Sequence, residues 1–302
     1  MKICIYCGSP VEDDFQFCNT CGKGFSPQEH EKKYSFFGTL VKILLYVLSF
    51  FVVQIGVSLI ASISVIAAVT LRSEGESYEA ITNEASQILN NSSVVLSLIS
   101  NAIFIAAISI FFTLRRKNVL KEIRFSKFPL WMIPLSAVFG YCANPIISIV
   151  SALIPWPEEI VNYYNSSTES LLGGSLPITV IAISIVTGIV EEFLFRGIVI
   201  TRMRRIFNAG ISIVLSSLIF AAVHLNPISF MGIFIFAMFL GILFRKSGSV
   251  IPCMIAHAAF NLFAILGYPS ENVSFILVFL LICILVCIAT GYFLFTKDDS
   301  PE

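Results

Sequence analysis

Charge is scarce in this chain. Only 13% of its 302 residues are Asp, Glu, Lys or Arg, where a soluble domain carries about a quarter. The 19 basic and 19 acidic residues cancel, so no basic surplus marks a nucleic-acid surface and no nucleic-acid partner is expected. Histidine is rarer still, with three in the chain. There is no internal repeat of the kind that builds solenoids and many transporters, and no low-complexity tract. A short basic stretch running straight into an apolar one is also missing at the N-terminus, so no cleavable signal peptide is expected.

What fills the chain instead is apolar: 57% hydrophobic residues and a mean hydropathy of +0.88. The fold class expected is all-α, a polytopic transmembrane helix bundle. Judged against the roughly 20 residues needed to cross a bilayer, about eight segments qualify, near 37–70, 94–114, 128–153, 177–201, 209–225, 228–244, 250–267 and 273–296. The first is long enough to tilt or project, and one or two of the short later ones need not cross fully. Pro227 separates the fifth from the sixth with almost no loop. The chain divides into a ribbon (1–26), a linker (27–36), a helical domain (37–296) and a tail (297–302). Lysine and arginine crowd alternate connections: six in "RRKNVLKEIRFSK", three in "RMRR" and two in "FRKSG". The connections between them hold Arg72 alone. By the positive-inside rule both termini are cytoplasmic, in the plasma membrane of the cell.

The N-terminal stretch "CIYCGSPVEDDFQFCNTCGKGF" carries two C-x-x-C pairs, Cys4/Cys7 and Cys18/Cys21, each followed by glycine. Four thiolates close a tetrahedral zinc site, and so short a segment cannot bury a core without one. A structural zinc ribbon is expected, with a cytoplasmic protein as its natural partner. Cys142, Cys253, Cys283 and Cys287 lie in apolar spans and read as small buried hydrophobes. His30, in "HEKKY", reads as a solvated linker residue.

The remaining polarity sits where it is costly. "GIVEEFLFRG" interrupts an apolar span with Glu191, Glu192 and Arg196, each worth about 2.5–3.5 kcal/mol against insertion at the bilayer centre. His224 ends "FAAVHLNP", and His257 shares a helix face with Asn261 four residues on. Glu192 and Arg196 are spaced to neutralise each other, which leaves Glu191, about 100° around the helix, without a partner. A desolvated carboxylate can act as general base towards water, a histidine beside it can orient that water, and a His/Asn pair can donate to an oxyanion. Those are the parts of peptide-bond hydrolysis. Two histidines and two carboxylates could equally ligate zinc, so a catalytic metal stays open.

E-E-x-x-x-R at 191–196, F-x-x-x-H at Phe220–His224 and H-x-x-x-N at His257–Asn261 resemble, in order and spacing, the CPBP family of intramembrane proteases. These include CAAX prenyl endopeptidases and the Abi bacteriocin-processing or immunity proteins. The resemblance spans roughly 128–296. It implies that Glu191 activates water with His224, that His257 and Asn261 hold the oxyanion, and that Glu192 and Arg196 support the site, with Phe220 as a motif position. It implies an endopeptidase, often classed as a metalloprotease, acting on a peptide or membrane-protein substrate within the lipid bilayer. No H-E-x-x-H, G-x-G-D or G-x-S-G marks another protease class. Alternatives are a catalytically silent immunity or scaffold protein of the same fold and a proton-coupled transporter. The expected site is one cavity lined by Glu191, His224, His257 and Asn261, reached from the cytoplasmic half of the membrane.

Overall fold

The computed structural model describes residues 2–4, 8–12, 17–18, 20–21, 35–73, 75–172 and 174–296. Cys7, most of the linker and the tail 297–302 lie outside them. Among the described residues are ten helices and one short strand pair, β1 (Lys2–Ile3) with antiparallel β2 (Pro10–Val11). The helices are α1 (Phe36–Arg72), α2 (Tyr78–Leu114), α3 (Val119–Glu122), α4 (Met132–Ala152) and α5 (Glu158–Leu172). Then follow α6 (Leu176–Met203), α7 (Ala209–Ala222), α8 (Pro227–Ser247), α9 (Ile251–Leu266) and α10 (Val273–Thr296). The chain is a multi-pass membrane protein: α1, α2, α4, α6, α8 and α10 are long and apolar enough to cross, while α7 and α9 are shorter apolar helices.

Local chemistry explains most boundaries. Ser35, Ser77 and Asn208 cap α1, α2 and α7 through their side chains, each satisfying an amide that the first turn leaves open. Pro227 occupies the first turn of α8 behind the Asn226 cap, where its missing N–H costs nothing. The second apolar segment, expected from residue 94, continues back to Tyr78. Residues 78–93 are too polar to register as a span but form helix readily. Two helices occupy stretches expected to be loops, the one-turn α3 and the amphipathic α5. At 37 residues, α1 is about 55 Å long at 1.5 Å per residue, well beyond a hydrocarbon core of roughly 30 Å.

The basic connections share one end of the bundle. Arg202 donates to Glu122 Oε2 at 3.0 Å, and Lys117 pairs with Glu122 Oε1 at 3.1 Å. The Val250 amide donates to the Arg124 carbonyl at 3.0 Å, and Ser126 and Ser249 exchange hydrogen bonds. Burial, helped by the neighbouring charges of Arg124 and Arg245, lowers Arg204 to about 10. At the opposite end lie 75–77, 153–172 and 267–272, where the Ser93 hydroxyl donates to the Ser170 carbonyl and ties α2 to α5.

A chain of amides and hydroxyls crosses the membrane region. Gln54 of α1 donates to Asn101 Oδ1 of α2 at 3.0 Å, and Asn101 Nδ2 donates to Thr187 Oγ1 of α6 at 3.1 Å. With no water among the acyl chains, such groups must satisfy one another. Close packing does the rest. On α4, a Cβ at Gly140 would stand 1.9 Å from the Ala256 carbonyl oxygen of α9, a backbone atom with no rotamer to move. Gly140→Ala should therefore force α4 and α9 apart, costing about 1–3 kcal/mol or more, whereas Gly56→Ala, with nothing within 4 Å, should be silent. Thermal unfolding of the two variants in detergent checks the contrast, and an unshifted midpoint for Gly140→Ala would contradict the close approach.

Candidate active site

The site grows from α6, which is not a uniform α-helix. Residues 180–187 and 193–200 are π-helical, flanking an α-turn at Gly188–Glu192. Widened turns are uncommon and frequently mark functional sites. Here they shift the register by which the α6 side chains face the bundle. Thr187 Oγ1 donates to the Ala182 carbonyl and Thr201 Oγ1 to that of Arg196, both five residues back. Gly188 lets the helix approach α9, since a Cβ there would meet the Ala258 amide nitrogen at 3.2 Å. Ser184 donates to the Ala258 carbonyl at 2.7 Å on the same seam.

Three ionisable groups close on one another in the core. Arg196 Nη1 donates to Glu192 Oε1 at 2.7 Å, with side-chain exposures of 1% and 0%. Arg196 Nη2 donates to the Ala237 carbonyl at 2.9 Å. His257 Nδ1 lies 2.8 Å from the same Glu192 Oε1. Phe220 is the wedge between them: its ring centre is 4.8 Å from the Arg196 guanidinium carbon, 4.8 Å from the His224 ring and 5.8 Å from the His257 ring. The quadrupole of an aromatic face attracts a cation, so the motif phenylalanine and arginine belong to one unit. Glu192 Oε2 and Arg196 Nε are buried without a hydrogen-bond partner among the described residues.

Glu191 lies beside the two histidines rather than in the Arg196 contact, and, against expectation, it is not among the residues that line the cavity. Its Oε2 stands 3.6 Å from His257 Nε2 and 4.0 Å from His224 Nε2, with Glu191 16% and His224 28% exposed. His224 follows the last turn of α7, in a break where Leu225 takes a φ of 51°. A left-handed branched residue costs on the order of 1–3 kcal/mol, held here beside the cluster. His224 Nδ1 is 2.7 Å from the Phe220 carbonyl oxygen, which can only accept, so Nδ1 carries the N–H. In the neutral ring Nε2 then presents a lone pair to Glu191. Two acceptors 4.0 Å apart are too far for a direct hydrogen bond and need a donor between them.

Asn261, one turn past His257, donates to the Ile183 carbonyl at 3.1 Å, an oxygen in the π-helical stretch. Its second N–H is the one left to serve a ligand. His224, His257, Asn261 and Phe220 line a cavity of about 710 Å³, within the roughly 300–1,000 Å³ range of ligand pockets. Its other walls come from the C-terminal half of α4, from α5, from the start of α8 and from the end of α9 with Tyr268. The expectation of access from the basic end is corrected by that lining, which belongs to the opposite end of the bundle. Sequence reasoning also missed the carbonyls of Ala237 and Ile183 and the contribution of α5. Backbone acceptors leave no residue-type signal, and α5 is too polar to stand out by hydropathy.

Residues 173–263 match the family model for type II CAAX prenyl endopeptidases, Rce1-like. The match covers 91 of the 302 residues, and over that segment the chain is similar to this family. The match contains Glu191, Glu192, Arg196, Phe220, His224, His257 and Asn261, and it begins after α5. Neither a curated protein nor a solved structure matches the chain. Family match and helical bundle together support a membrane endopeptidase.

Near the N-terminus, the Sγ atoms of Cys4, Cys18 and Cys21 all lie within 4.8 Å of one another, and those of Cys4 and Cys21 are 3.5 Å apart. The Gly8 amide turns back to the Cys4 carbonyl at 2.7 Å with a φ of 76°, a conformation glycine tolerates. This cluster could hold a metal ion. Glu191, His224 and His257 make no such group.

Arg196→Ala should lower folded yield and thermal stability, by an amount of the order of the 3–5 kcal/mol seen for broken buried pairs, because it strands Glu192 among apolar side chains. Arg196→Lys, which keeps the charge but not the fork to Glu192 and Ala237, should fall between. Size-exclusion profiles and unfolding midpoints of the three proteins decide it; equal profiles would contradict the clamp.

Proposed function

We propose that this protein is an intramembrane endopeptidase in which Glu191 activates a water molecule for attack on a peptide bond. The observation that carries the proposal is the pair of facing acceptors, Glu191 Oε2 and His224 Nε2, 4.0 Å apart, of which the histidine lines the cavity. A water between them donates one hydrogen to each, which aims its lone pairs away from both and towards a bound carbonyl. On attack the water oxygen bonds to the carbonyl carbon and its proton passes to Glu191. The carbonyl oxygen becomes an oxyanion, which the second N–H of Asn261 can meet and to which His257, held at Nδ1 by Glu192, can donate from Nε2 as the imidazolium. Collapse breaks the C–N bond, and the proton on Glu191 goes to the leaving amine. Glu192 and Arg196 position rather than react: they hold His257 through Nδ1 and keep its Nε2 towards Glu191.

A metal at this site is the less favoured reading. Two atoms bound to one zinc cannot be more than about 4.2 Å apart, twice a Zn–N bond of roughly 2.1 Å, and Glu191, His224 and His257 do not draw together even within 4.8 Å. The N-terminal cluster suits zinc, with the three described thiols of Cys4, Cys18 and Cys21 drawn together and Cys7 as the fourth ligand of the sequence pattern. In this reading the ribbon is structural, the basic end of the bundle is cytoplasmic and the protein resides in the plasma membrane.

Glu191→Gln keeps the shape of the side chain and removes the base, so turnover should fall by about 10²–10⁴-fold with the unfolding midpoint unchanged. The assay compares the peptides released from membranes of cells carrying either form, read by mass spectrometry. Identical fragment sets would rule the mechanism out. Removing residues 1–26 should abolish binding of one zinc per chain while leaving those fragments unaltered; their loss from well-folded protein would place the ribbon in the catalytic machinery.

A further inference from the structure

The cavity has two properties that the hydrolytic chemistry does not require. It extends from His224 and His257 towards 153–172 and 267–268, the end without basic connections. And, apart from the histidines of the cluster, no charged side chain lines it: the polar groups are those of Asn144, Ser148, Ser151, Tyr164, Asn165, Thr168, Ser229, Asn261 and Tyr268.

The outer wall is α5. Its cavity-lining residues Val161, Tyr164, Asn165, Thr168, Leu171 and Leu172 recur at the spacing of one helical face. Glu158, Glu159 and Glu169 lie off that face. No residue of α5 is fully buried, and the helix is too short and polar to span. It lies across the mouth of the cavity, apolar face inward, tied to α2 through the Ser93–Ser170 bond. Five of the polar lining residues already donate within the protein. Asn144 Nδ2 donates to the Phe260 carbonyl at 3.0 Å, and its Oδ1 accepts from Ser148 at 3.1 Å. Thr168 donates to the Tyr164 carbonyl, Asn261 to that of Ile183 and Tyr268 to that of Pro145. The groups left over, on Ser151, Tyr164, Asn165 and Ser229, can each donate to and accept from a peptide backbone. A charged side chain entering here would lose its hydration and meet no counter-charge outside the cluster.

We infer that the cavity opens to the non-cytoplasmic face and takes from there an extended, uncharged, membrane-adjacent segment of another polypeptide. The inference rests on the peptidase reading for what happens to that segment, and on the positive-inside orientation for which face it comes from. Substrates presented as cytoplasmic tails are excluded by it, because the cluster is sealed from the basic end by Arg196, Phe220 and the buried core around them.

The test has two arms on the full-length protein. In the first, Ser151→Cys and Ser229→Cys report the cavity, with Ser270→Cys and Lys121→Cys as references for the two ends. An impermeant maleimide is applied to intact cells and to inverted vesicles, and unsubstituted protein sets the background. Both cavity cysteines should react from the outside with Ser270→Cys, several-fold faster than in inverted vesicles. Reaction from the Lys121→Cys side, or from neither, overturns the inference, as does Ser270→Cys reacting only in inverted vesicles. In the second arm, fragments present with the intact protein and absent with Glu191→Gln are sequenced. Their new ends should map to non-cytoplasmic, membrane-adjacent positions without Asp, Glu, Lys or Arg beside the cut. Ends in cytoplasmic segments, or flanked by charges, overturn the substrate class. An absence of Glu191-dependent fragments overturns the peptidase reading and the substrate class with it, while the labelling still decides which face the cavity opens to.

Discussion

A carboxylate and a guanidinium are costly in an apolar bundle unless they neutralise each other and hydrogen bonds meet most of their remaining atoms. Most of this architecture follows from how Glu192 and Arg196 do so, with Glu192 Oε2 and Arg196 Nε left without a partner among the described residues. One helical turn joins them directly. The second guanidinium nitrogen requires a carbonyl, which α8 supplies at Ala237; the face of the guanidinium takes the Phe220 ring of α7; and the shared carboxylate oxygen takes His257 of α9. Four helices are thereby held around one buried pair. The same contact orients His257, because a nitrogen engaged by Glu192 leaves the other facing Glu191.

The irregular backbone of α6 belongs to that arrangement. A π-turn displaces a carbonyl from its ordinary partner, and Asn261 bonds to one such oxygen, that of Ile183. Thr187, at the junction of the π- and α-helical stretches, reaches Asn101 and through it Gln54. The first two spans lie outside the family-matched segment, yet they touch the helix that carries Glu191 through this chain of hydrogen bonds. In a medium without water, such a chain resists separation because each group would lose its only partner.

The matched segment carries the buried ionisable cluster, whereas α4 and α5, which lie before it, supply much of the cavity wall. The close approach at Gly140, where α4 touches the backbone of α9, brings that wall against the helix bearing His257 and Asn261.

Helix content, the number of apolar segments and the ionisable residues set within them, Glu191, Glu192, Arg196, His224 and His257, were legible in the residues themselves. Each rests on a local quantity: hydropathy over a window, charge at a position, or spacing along one helix. Glu192 and Arg196 pair because four residues make one turn, and no tertiary information is needed to see it. Asn101 and α5 escaped notice for the converse reason, one being a single amide in a long span and the other a helix without enough apolar length. Which end the cavity faces was decided only in three dimensions. It depends on how far α7 runs before it breaks at His224, on where α5 folds back, and on which carbonyls the π-turns release. These are sums over contacts between residues distant in sequence, and no local pattern carries them.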